Sequence, residues 1–353
     1  MLKRILKIIG GFLLILLLTA AVVVINALWA CAVLAYGPWP EWRHRFVATF
    51  DETSAMKFVP RIFLPEDTVQ AILRPAEPAE TEEAEDPFTE LAFENGAPEA
   101  GEDEGPAVVV ADPPEDGEAW MEIIDIKRST FQGKMMVIRD PSRVVVGTLE
   151  AYGEDCRGMY LTGFIKKYGA IGGTNAGGFE DVNGKGNGGI PDGLVIRGGE
   201  IAWGSPEGWY RNVVGFDADH ILHVGNMTGQ EALDMGLTSA FSFDSGPILI
   251  QNGKMRTRLG GGLNPRTCIG QTADGTILLA VLEGRRPTSL GATFDDLAKL
   301  MADFGAVNAA NLDGGSSSDM YYEGESIVRN SSYIGGRRLP TAILILGGDG
   351  SDG

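Results

Sequence analysis

The chain has 353 residues, with 48 acidic and 29 basic side chains and a net charge of −19, which leaves no basic face of the kind a nucleic-acid partner needs. Its three cysteines are too few for a disulfide framework, although Cys156 and Cys268 could pair or stay free. The charge is uneven: residues 1–65 carry a net +4, residues 66–117 a net −16 and residues 118–353 a net −7, so most of the acidity lies in one middle segment.

Residues 8–36 form an apolar run without a charged side chain. At about 1.5 Å per helical residue the run exceeds a hydrocarbon core of roughly 30 Å, so a tilted membrane span is expected. Lys3, Arg4 and Lys7 precede it and favour a cytoplasmic N-terminus, against Arg43 and Arg45 just beyond it. The run is too long for the core of a cleaved signal peptide, and bulky Trp29 argues against a lipoprotein site at Cys31. The expectation is a cytoplasmic tip and single anchor over residues 1–36, with the bilayer as partner of residues 8–36 and the remaining chain outside the cytoplasm.

Over residues 37–75, Phe46 to Phe58 and Val69 to Leu73 have apolar residues at near-helical spacing. Pro65 followed by Glu66 and Asp67 suits a helix start. Two short juxtamembrane helices are expected, as a packing surface, a partner site or a stalk. Residues 76–117 are rich in acid and proline and cannot bury enough apolar area to offset chain entropy. They read as a disordered spacer, in which Phe88, Leu91 and Phe93 could form a docking motif.

From residue 118 to 353 the pattern is that of an α+β domain, a strand-rich mixed sheet with few helices. Turn dipeptides recur at Asp192-Gly193, Gly198-Gly199, Asn252-Gly253 and Asp274-Gly275, between short apolar runs at Met135–Ile138, Val144–Val146, Gly193–Ile196, Ile221–Val224, Pro247–Ile250, Thr276–Leu282 and Leu339–Leu346. Helices are expected at Arg157–Lys167, Gln230–Met235 and Phe294–Phe304. In the last, Phe294, Leu297, Leu300, Met301 and Phe304 make one apolar face, Thr293 can cap the start and Gly305 the end.

The stretch Val307 to Met320 begins as a strand and ends in Asp313, followed by Gly314, Gly315 and Ser316. A carboxylate at a strand end beside bare backbone N–H groups suits an active site at a sheet edge; a tight turn whose Asp caps its own backbone is the alternative. The order strand 276–282, helix 294–304, strand 307–312 places the two strand ends on one edge if the strands lie parallel in one sheet. Glu283, Arg285, Arg286 and Asp313 would then converge, with the helix N-terminus as a seat for phosphate.

Six motifs in fixed order resemble the phosphodiester glycosidase domain family, which includes N-acetylglucosamine-1-phosphodiester α-N-acetylglucosaminidase. They are TNAGGF at 174–179, GGIPDGLVIRGGEI at 188–201, SGPILIQNGK at 245–254, PRTCIGQTADG at 265–275, LEGRRPTSLGATFDDLAKLM at 282–301 and NLDGGSSSDM at 311–320, with Gly335-Gly336-Arg337-Arg338 beyond. The anchor, FDETSAMKF and the next helix resemble bacterial membrane-anchored members. The resemblance implies a hydrolase that cleaves between a sugar C1 and phosphate in sugar-1-phosphodiesters of the N-acetylglucosamine class, with envelope or exported polysaccharides as plausible glycan partners. Two positions depart from the family pattern: Glu283 stands in place of Asp, and Ser316 in place of Gly.

Such a reaction needs stabilisation of an oxocarbenium-like centre and of the departing phosphate. Asp313 is the expected catalytic carboxylate and Glu283 the second, or else a loop anchor. Arg266 and Arg285 are the expected phosphate clamps, with Arg338 as a third. Asn175 is expected to bind sugar hydroxyls or to support the Ala176-Gly177-Gly178 loop, whose glycines allow close backbone approach. Gly314 and Gly315 belong to the site loop, and Ser316 and Ser289 are candidate hydroxyl contacts. Asp244 reads as structural. No cofactor is expected. His220 and His223, three apart in a strand, face opposite sides and do not share a metal. Asp181, Asn183 and Asp192 could hold Ca²⁺, or form a solvated loop. The competing reading is a non-catalytic glycan-binding or scaffold module anchored in the membrane.

Overall fold

The computed structural model describes residues 2–53, 56–74, 119–181, 186–332 and 335–347. The spacer expected over 76–117, with its Phe88, Leu91 and Phe93, lies outside them, as does Asn183. The chain divides into two units, Met1–Arg74 and Pro75–Gly353.

The first unit is helical: α1 (Leu2–Tyr36), α2 (Pro40–Asp51), α3 (Val59–Phe63) and α4 (Glu66–Leu73). From Ile9 to Tyr36 the first helix is 28 residues long with mean hydropathy 2.7, enough to cross a membrane by length and composition. Helices α2 to α4 fold against its end around Ala35, Phe46, Val47, Leu64 and Val69. The helix expected over Phe46–Phe58 instead starts at Pro40, where a fixed φ and a missing N–H cost nothing, and stops at Asp51. Pro65 is the N-cap of α4, and Glu66 and Asp67 occupy its first turn.

The second unit runs β1 (Met121–Lys127), β2 (Gln132–Ile138), β3 (Val144–Thr148), α5 (Leu161–Tyr168), β4 (Ala170–Asn175), β5 (Val195–Arg197), β6 (Glu200–Trp203), β7 (Trp209–Phe216), β8 (Leu222–Thr228), α6 (Gly229–Asp234), β9 (Ser239–Ser242), β10 (Ile248–Gln251), β11 (Lys254–Met255), β12 (Arg266–Thr272), β13 (Ile277–Leu282), α7 (Phe294–Asp303), β14 (Ala306–Asn311), β15 (Met320–Tyr322), β16 (Glu325–Ser326) and β17 (Thr341–Leu346). One sheet has the order β1-β2-β13-β12-β14-β10-β11; the others are β16-β15-β4-β17-β3 and β6-β5-β9-β7-β8. Neighbouring strands are antiparallel throughout.

The apolar runs become strands buried on both faces. Along β13, Ile277, Leu279 and Val281 enter the core shared by the three sheets. The alternate Leu278, Ala280 and Leu282 face the core under α7, with Leu297, Leu300 and Met301. A strand with both faces covered has no polar alternation to show. Gly198-Gly199 joins β5 to β6, Asn252-Gly253 joins β10 to β11, and Asp274-Gly275 lies between β12 and β13. Asn252 and Gly253 have φ of 50° and 74°, as a two-residue hairpin turn requires. Asp192-Gly193 instead precedes β5 and closes no hairpin.

Helix α7 carries the expected Thr293 cap, in a reciprocal box with Asp296; such a cap contributes about 1 kcal/mol. Gly305 follows its C-cap at φ 77°. Helix α5 starts four residues later than expected, at Leu161 behind its N-cap Tyr160, and ends at Gly169 in the left-handed region.

The strands before and after α7 are not neighbours. Strand β12 lies between β13 and β14 and runs antiparallel to both, with Arg266 opposite Leu282 and Cys268 opposite Asn311. The carboxyl ends of β13 and β14 therefore share one edge with the start of β12, although the two strands are not adjacent as expected.

The three cysteines are free; Cys268 is buried within β12, and Cys156 is half-buried. Burial pushes the Cys268 thiol far above its ordinary value, and thiolate is the reactive form. A polar maleimide should therefore label Cys156 in the native chain, equally with and without reductant, and reach Cys268 only on unfolding. Labelling that needs reductant would indicate a disulfide.

Candidate active site

Asp313 sits where β14 stops, half-buried on a loop held between two sheets. Its N–H donates to Ala176 O at 2.9 Å, and Leu312 N–H donates to Thr267 O at 2.8 Å. Its carbonyl accepts from the Asn175 amide. Asn175 is fully buried, and its side-chain oxygen accepts from Thr267 Oγ1 at 2.9 Å and from Asp319 N–H at 3.3 Å. Asn175 thus ties β4, β12 and the Asp313 loop together, the supporting one of its two expected roles.

The glycines beside these residues permit close packing. A Cβ at Gly178 would lie 2.4 Å from the Phe243 ring, and one at Gly177 3.0 Å from Ser242 O. Gly177 N–H donates to Thr341 Oγ1 at 2.9 Å. Gly315 has φ of 63°, and a side chain there would press on the Arg285 guanidinium, 3.3 Å away. Its N–H donates to Pro265 O at 2.9 Å, and a Cβ at Gly314 would meet the same carbonyl.

The Asp313 carboxyl is pushed up to about 7. Burial is the main cause, with a smaller push from the charge of Asp181. The Ser317 hydroxyl, the Gly314 N–H at 2.8 Å and the charge of Arg337 pull the other way without cancelling it. The carboxyl therefore caps its own turn, as the turn reading expects, and its pKa of about 7 leaves it able to gain or lose a proton near neutral pH.

The expected site residues separate into two groups. Glu283 is largely buried. Its carboxylate accepts from Gln132 Nε2 at 3.0 Å and from Arg329 N–H at 3.1 Å, which anchors the segment after β16. Ser289 Oγ donates to Glu283 O at 2.7 Å and accepts from Gln132 N–H, so it closes the loop after β13. Arg266 lies under the loops, donating to Ala292 O and Gly262 O, with its guanidinium 3.9 Å from the centre of the Phe294 ring. Arg338 donates to Gly158 O at 3.0 Å and stacks on Tyr160.

Two other guanidiniums bracket the Gly315–Ser316 turn. Arg285 is exposed, donates to Asn264 Oδ1 at 3.0 and 3.2 Å, and stands over Gly315. Arg337 donates to Ser316 Oγ at 3.2 Å, pairs with Asp181 at 2.9 Å and stacks on Phe179. Arg286, expected at the same edge, donates to Asn330 O. The N-terminus of α7 is not an open anion seat: Asp296 and Thr293 fill its cap, and Asp295 accepts from the N–H groups of Leu259 and Gly260.

A cavity of about 220 Å³ adjoins this loop, lined by Tyr160, Thr162, Ser317, Asp319, Tyr321 and Arg337 among others. Burial also raises the Asp319 carboxyl, although it accepts from Ser326 Oγ and Met320 N–H. Sequence reasoning assigned no role to Arg337, Ser317, Asp319 or the two tyrosines. Arg337 was visible beside Arg338, but adjacent residues of one type in a loop give no sign of which faces the site.

The remaining ligand candidates are engaged. Asp181 accepts from Gly186 N–H at 2.7 Å as well as from Arg337. Asp192 is raised first by burial and then by the charges of Asp244 and Glu180, and Asp244 accepts from Arg211 N–H. His223 Nε2 lies 2.8 Å from Asp217, while His220 is in the preceding turn. Among the described residues no group of three or more His, Cys, Asp or Glu could hold a metal ion.

The fold is a strand-rich α+β domain in which a raised carboxyl, Asp313, is followed by a turn that Arg285 and Arg337 approach. The family model for phosphodiester glycosidase matches residues 168–346, and the chain belongs to that family. In structure it is similar to the catalytic domain of zebrafish N-acetylglucosamine-1-phosphodiester alpha-N-acetylglucosaminidase, auto-inhibited by its pro-peptide, with a TM-score of 0.51 and 21% identity over 66% of this chain and 85% of that one. A putative exported protein from Burkholderia pseudomallei K96243 has a TM-score of 0.44 and 17% identity over 62% of this chain and 74% of that one. In sequence it is 37% identical over 101 residues to the SPbeta prophage-derived uncharacterized protein YomE of Bacillus subtilis (strain 168). That match spans 27% of this chain and only 15% of the relative's length.

Burial of Asp313 has a consequence for stability. Its folded pKa lies above the ordinary 3.8, so the stability held by the neutral carboxyl is full below 3.8, falls as pH rises and is gone above about 7. Asp313→Asn should therefore stabilise the protein at pH 8, by on the order of 1–3 kcal/mol for a group partly open to water, with little effect at pH 3.5. Urea midpoints at the two pH values measure this.

Proposed function

We propose that the protein is a membrane-tethered, extracytoplasmic hydrolase that cleaves the C1–oxygen bond of sugar-1-phosphodiesters of the N-acetylglucosamine type in envelope or exported glycans. The observation that carries the reading is Asp313, a carboxyl raised to about 7 by burial within the matched residues, under the charge of Arg337 and on a loop that Arg285 approaches at Gly315. Lys3, Arg4 and Lys7, ahead of the apolar stretch of α1 that begins at Ile9, support the orientation.

A phosphodiester leaves readily, so catalysis falls to charge stabilisation and positioning. The ionised Asp313 faces the anomeric carbon and either attacks it or takes a proton from water. The C1–oxygen bond breaks, its electron pair leaves with the phosphate, and Arg285 and Arg337 hold the charge that develops there. Water supplies the hydroxyl that ends on C1 and the proton that ends on the phosphomonoester. The cavity beside Ser317 suits a single sugar ring, with Tyr160 and Tyr321 as apolar walls. Asn175, Gly177, Gly178 and Gly314 keep the backbone in place, Ser316 orients Arg337, and Glu283, Arg266, Ser289 and Arg338 anchor the loops.

Binding without turnover, the second reading, draws on Glu283 and Arg266, whose charged groups are engaged by the protein itself. The test is an α-N-acetylglucosamine-1-phosphodiester of a simple alcohol, incubated with the whole chain in heavy-oxygen water. Free sugar carrying the label at C1 is expected. Label on phosphate would mean the other bond breaks, and tight binding with no release would favour the second reading.

With Asp313→Asn, turnover should fall about a thousandfold, as for loss of a catalytic proton-transfer or nucleophilic group. In the wild type, kcat/KM should rise with pH through about 7 as Asp313 ionises. Arg337→Ala should move that limb to higher pH, because the Arg337 charge holds the Asp313 pKa down. A limb that falls with pH would make Asp313 the proton donor instead.

A further inference from the structure

We propose that α2 and α3 form a lipid-facing collar at the outer end of α1, with Trp39, Trp42, Phe58 and Ile62 seated at the boundary between acyl chains and headgroups. This rests on α1 being the membrane span of the preceding reading. The first support is a length. The apolar helix from Ile9 to Tyr36 has 28 residues, or about 42 Å, which overshoots a hydrocarbon core of roughly 30 Å. The fold removes the excess. Every residue from Ile9 to Ala30 is exposed, whereas Cys31 to Ala35 are covered in part or in full. Cys31, Leu34 and Ala35 pack with Phe46, Val47 and Leu64. The bare stretch that remains is about 33 Å long, close to the core thickness. The collar therefore begins where hydrocarbon ends, and tilt is not needed to absorb the surplus.

The second support is what the collar leaves uncovered. Trp39 is 51% exposed, Trp42 47%, Phe58 59% and Ile62 57%. Leaving such side chains in water forgoes about 1.5–3 kcal/mol each, a large cost for a unit with a small core. They stand around the exit of α1. The Trp39 ring lies against Gly37, where a Cβ would be 2.8 Å from it. The Tyr36 hydroxyl bonds Phe63 O, which brings α3 to the same level.

The third support is chemistry. Tryptophan favours the membrane–water interface, where an apolar ring and a polar N–H are both satisfied. Arg45 lies 5.3 Å from the Trp42 ring, which sets a guanidinium beside a ring at the level where lipid phosphates would lie, while Arg43 turns inward to donate to Gly37 O. Asp51 and Glu66 are paired with Arg61, and exposed Glu41 lies in the chain between Trp39 and Trp42. The surface is continuous with the bare face of α1, and a bilayer covers both.

The full chain in phosphatidylcholine–phosphatidylglycerol vesicles tests this, with photoactivatable lipids carrying the diazirine either just below the headgroup or near the chain end. Crosslinked residues are mapped by mass spectrometry. The shallow probe should label residues 39–42 and 58–62 with a yield comparable to that at Trp29, and the deep probe only the middle of α1. Trp39→Ser with Trp42→Ser should lose most of the shallow label at residues 39–42 while labelling of α1 is unchanged. Label on α1 but none at 39–62 overturns the collar and leaves the span intact. No label on α1 overturns the span and the collar with it. Protein–protein crosslinks at 39–62 in place of lipid ones show that a second copy covers this face, which also overturns the proposal.

Discussion

Strand β12 is clamped between β13 and β14 and runs against both, and the site depends on that arrangement. Hydrogen-bond registry places Leu282, Arg266 and Asn311 at one end of the sheet. The chain leaves β13 and β14 there and enters β12 there, so three loops far apart in sequence are forced into one crevice. Asn175 then locks the crevice to the second sheet by bonding both Thr267 and the Asp313 loop. A buried side-chain amide satisfied on both its groups gives such a junction a single geometry.

That rigidity is what allows a carboxyl to sit where ionisation is unfavourable. Burial disfavours the charged form of Asp313, and a loose loop would relieve the strain by swinging out to water. The loop is instead held at Ala176, Pro265 and Thr267 by backbone hydrogen bonds. The charged residues nearby divide the work: Glu283 and Arg266 face inward and secure loops, while Arg285 and Arg337 present guanidiniums at the Gly315–Ser316 turn. A buried charge must be satisfied by the protein itself, so the deeper members of the set are held by loop groups, while the shallower ones, Arg285 and Arg337, are held by side chains at the turn.

Much of the fold was legible in the sequence because it follows from local chemistry. The α7 helix shows its apolar face, its Thr293 cap and its Gly305 stop within a dozen residues. Asn252-Gly253 and Gly198-Gly199 mark hairpins because few residues tolerate the left-handed backbone there. Strands β4 and β12 were less visible, since Gly172-Gly173 and Thr267-Cys268 lack a strong period. Helix α5 begins only at Leu161 because Met159 is held in an extended bridge to Leu339, a partner that lies 180 residues away. The Asp313 loop was visible as chemistry; the neighbouring arginines were visible only as candidates.

The sequence by itself determined that a long apolar helix precedes a strand-rich α+β domain, that this domain carries the phosphodiester glycosidase motifs, and that Asp313 ends a strand before a glycine turn. These are properties of composition, period and residue order. Only the tertiary structure decided which guanidiniums stand at the turn, that the Asn175 side chain bonds both Thr267 and the Asp313 loop, that Asp313 is raised to about 7, and that the last turn of the apolar helix, Cys31 to Ala35, is covered by the helices that follow it. The reason is that burial and electrostatic field depend on distances in space, and strand pairing sets those distances between residues that sequence separates by tens or hundreds of positions.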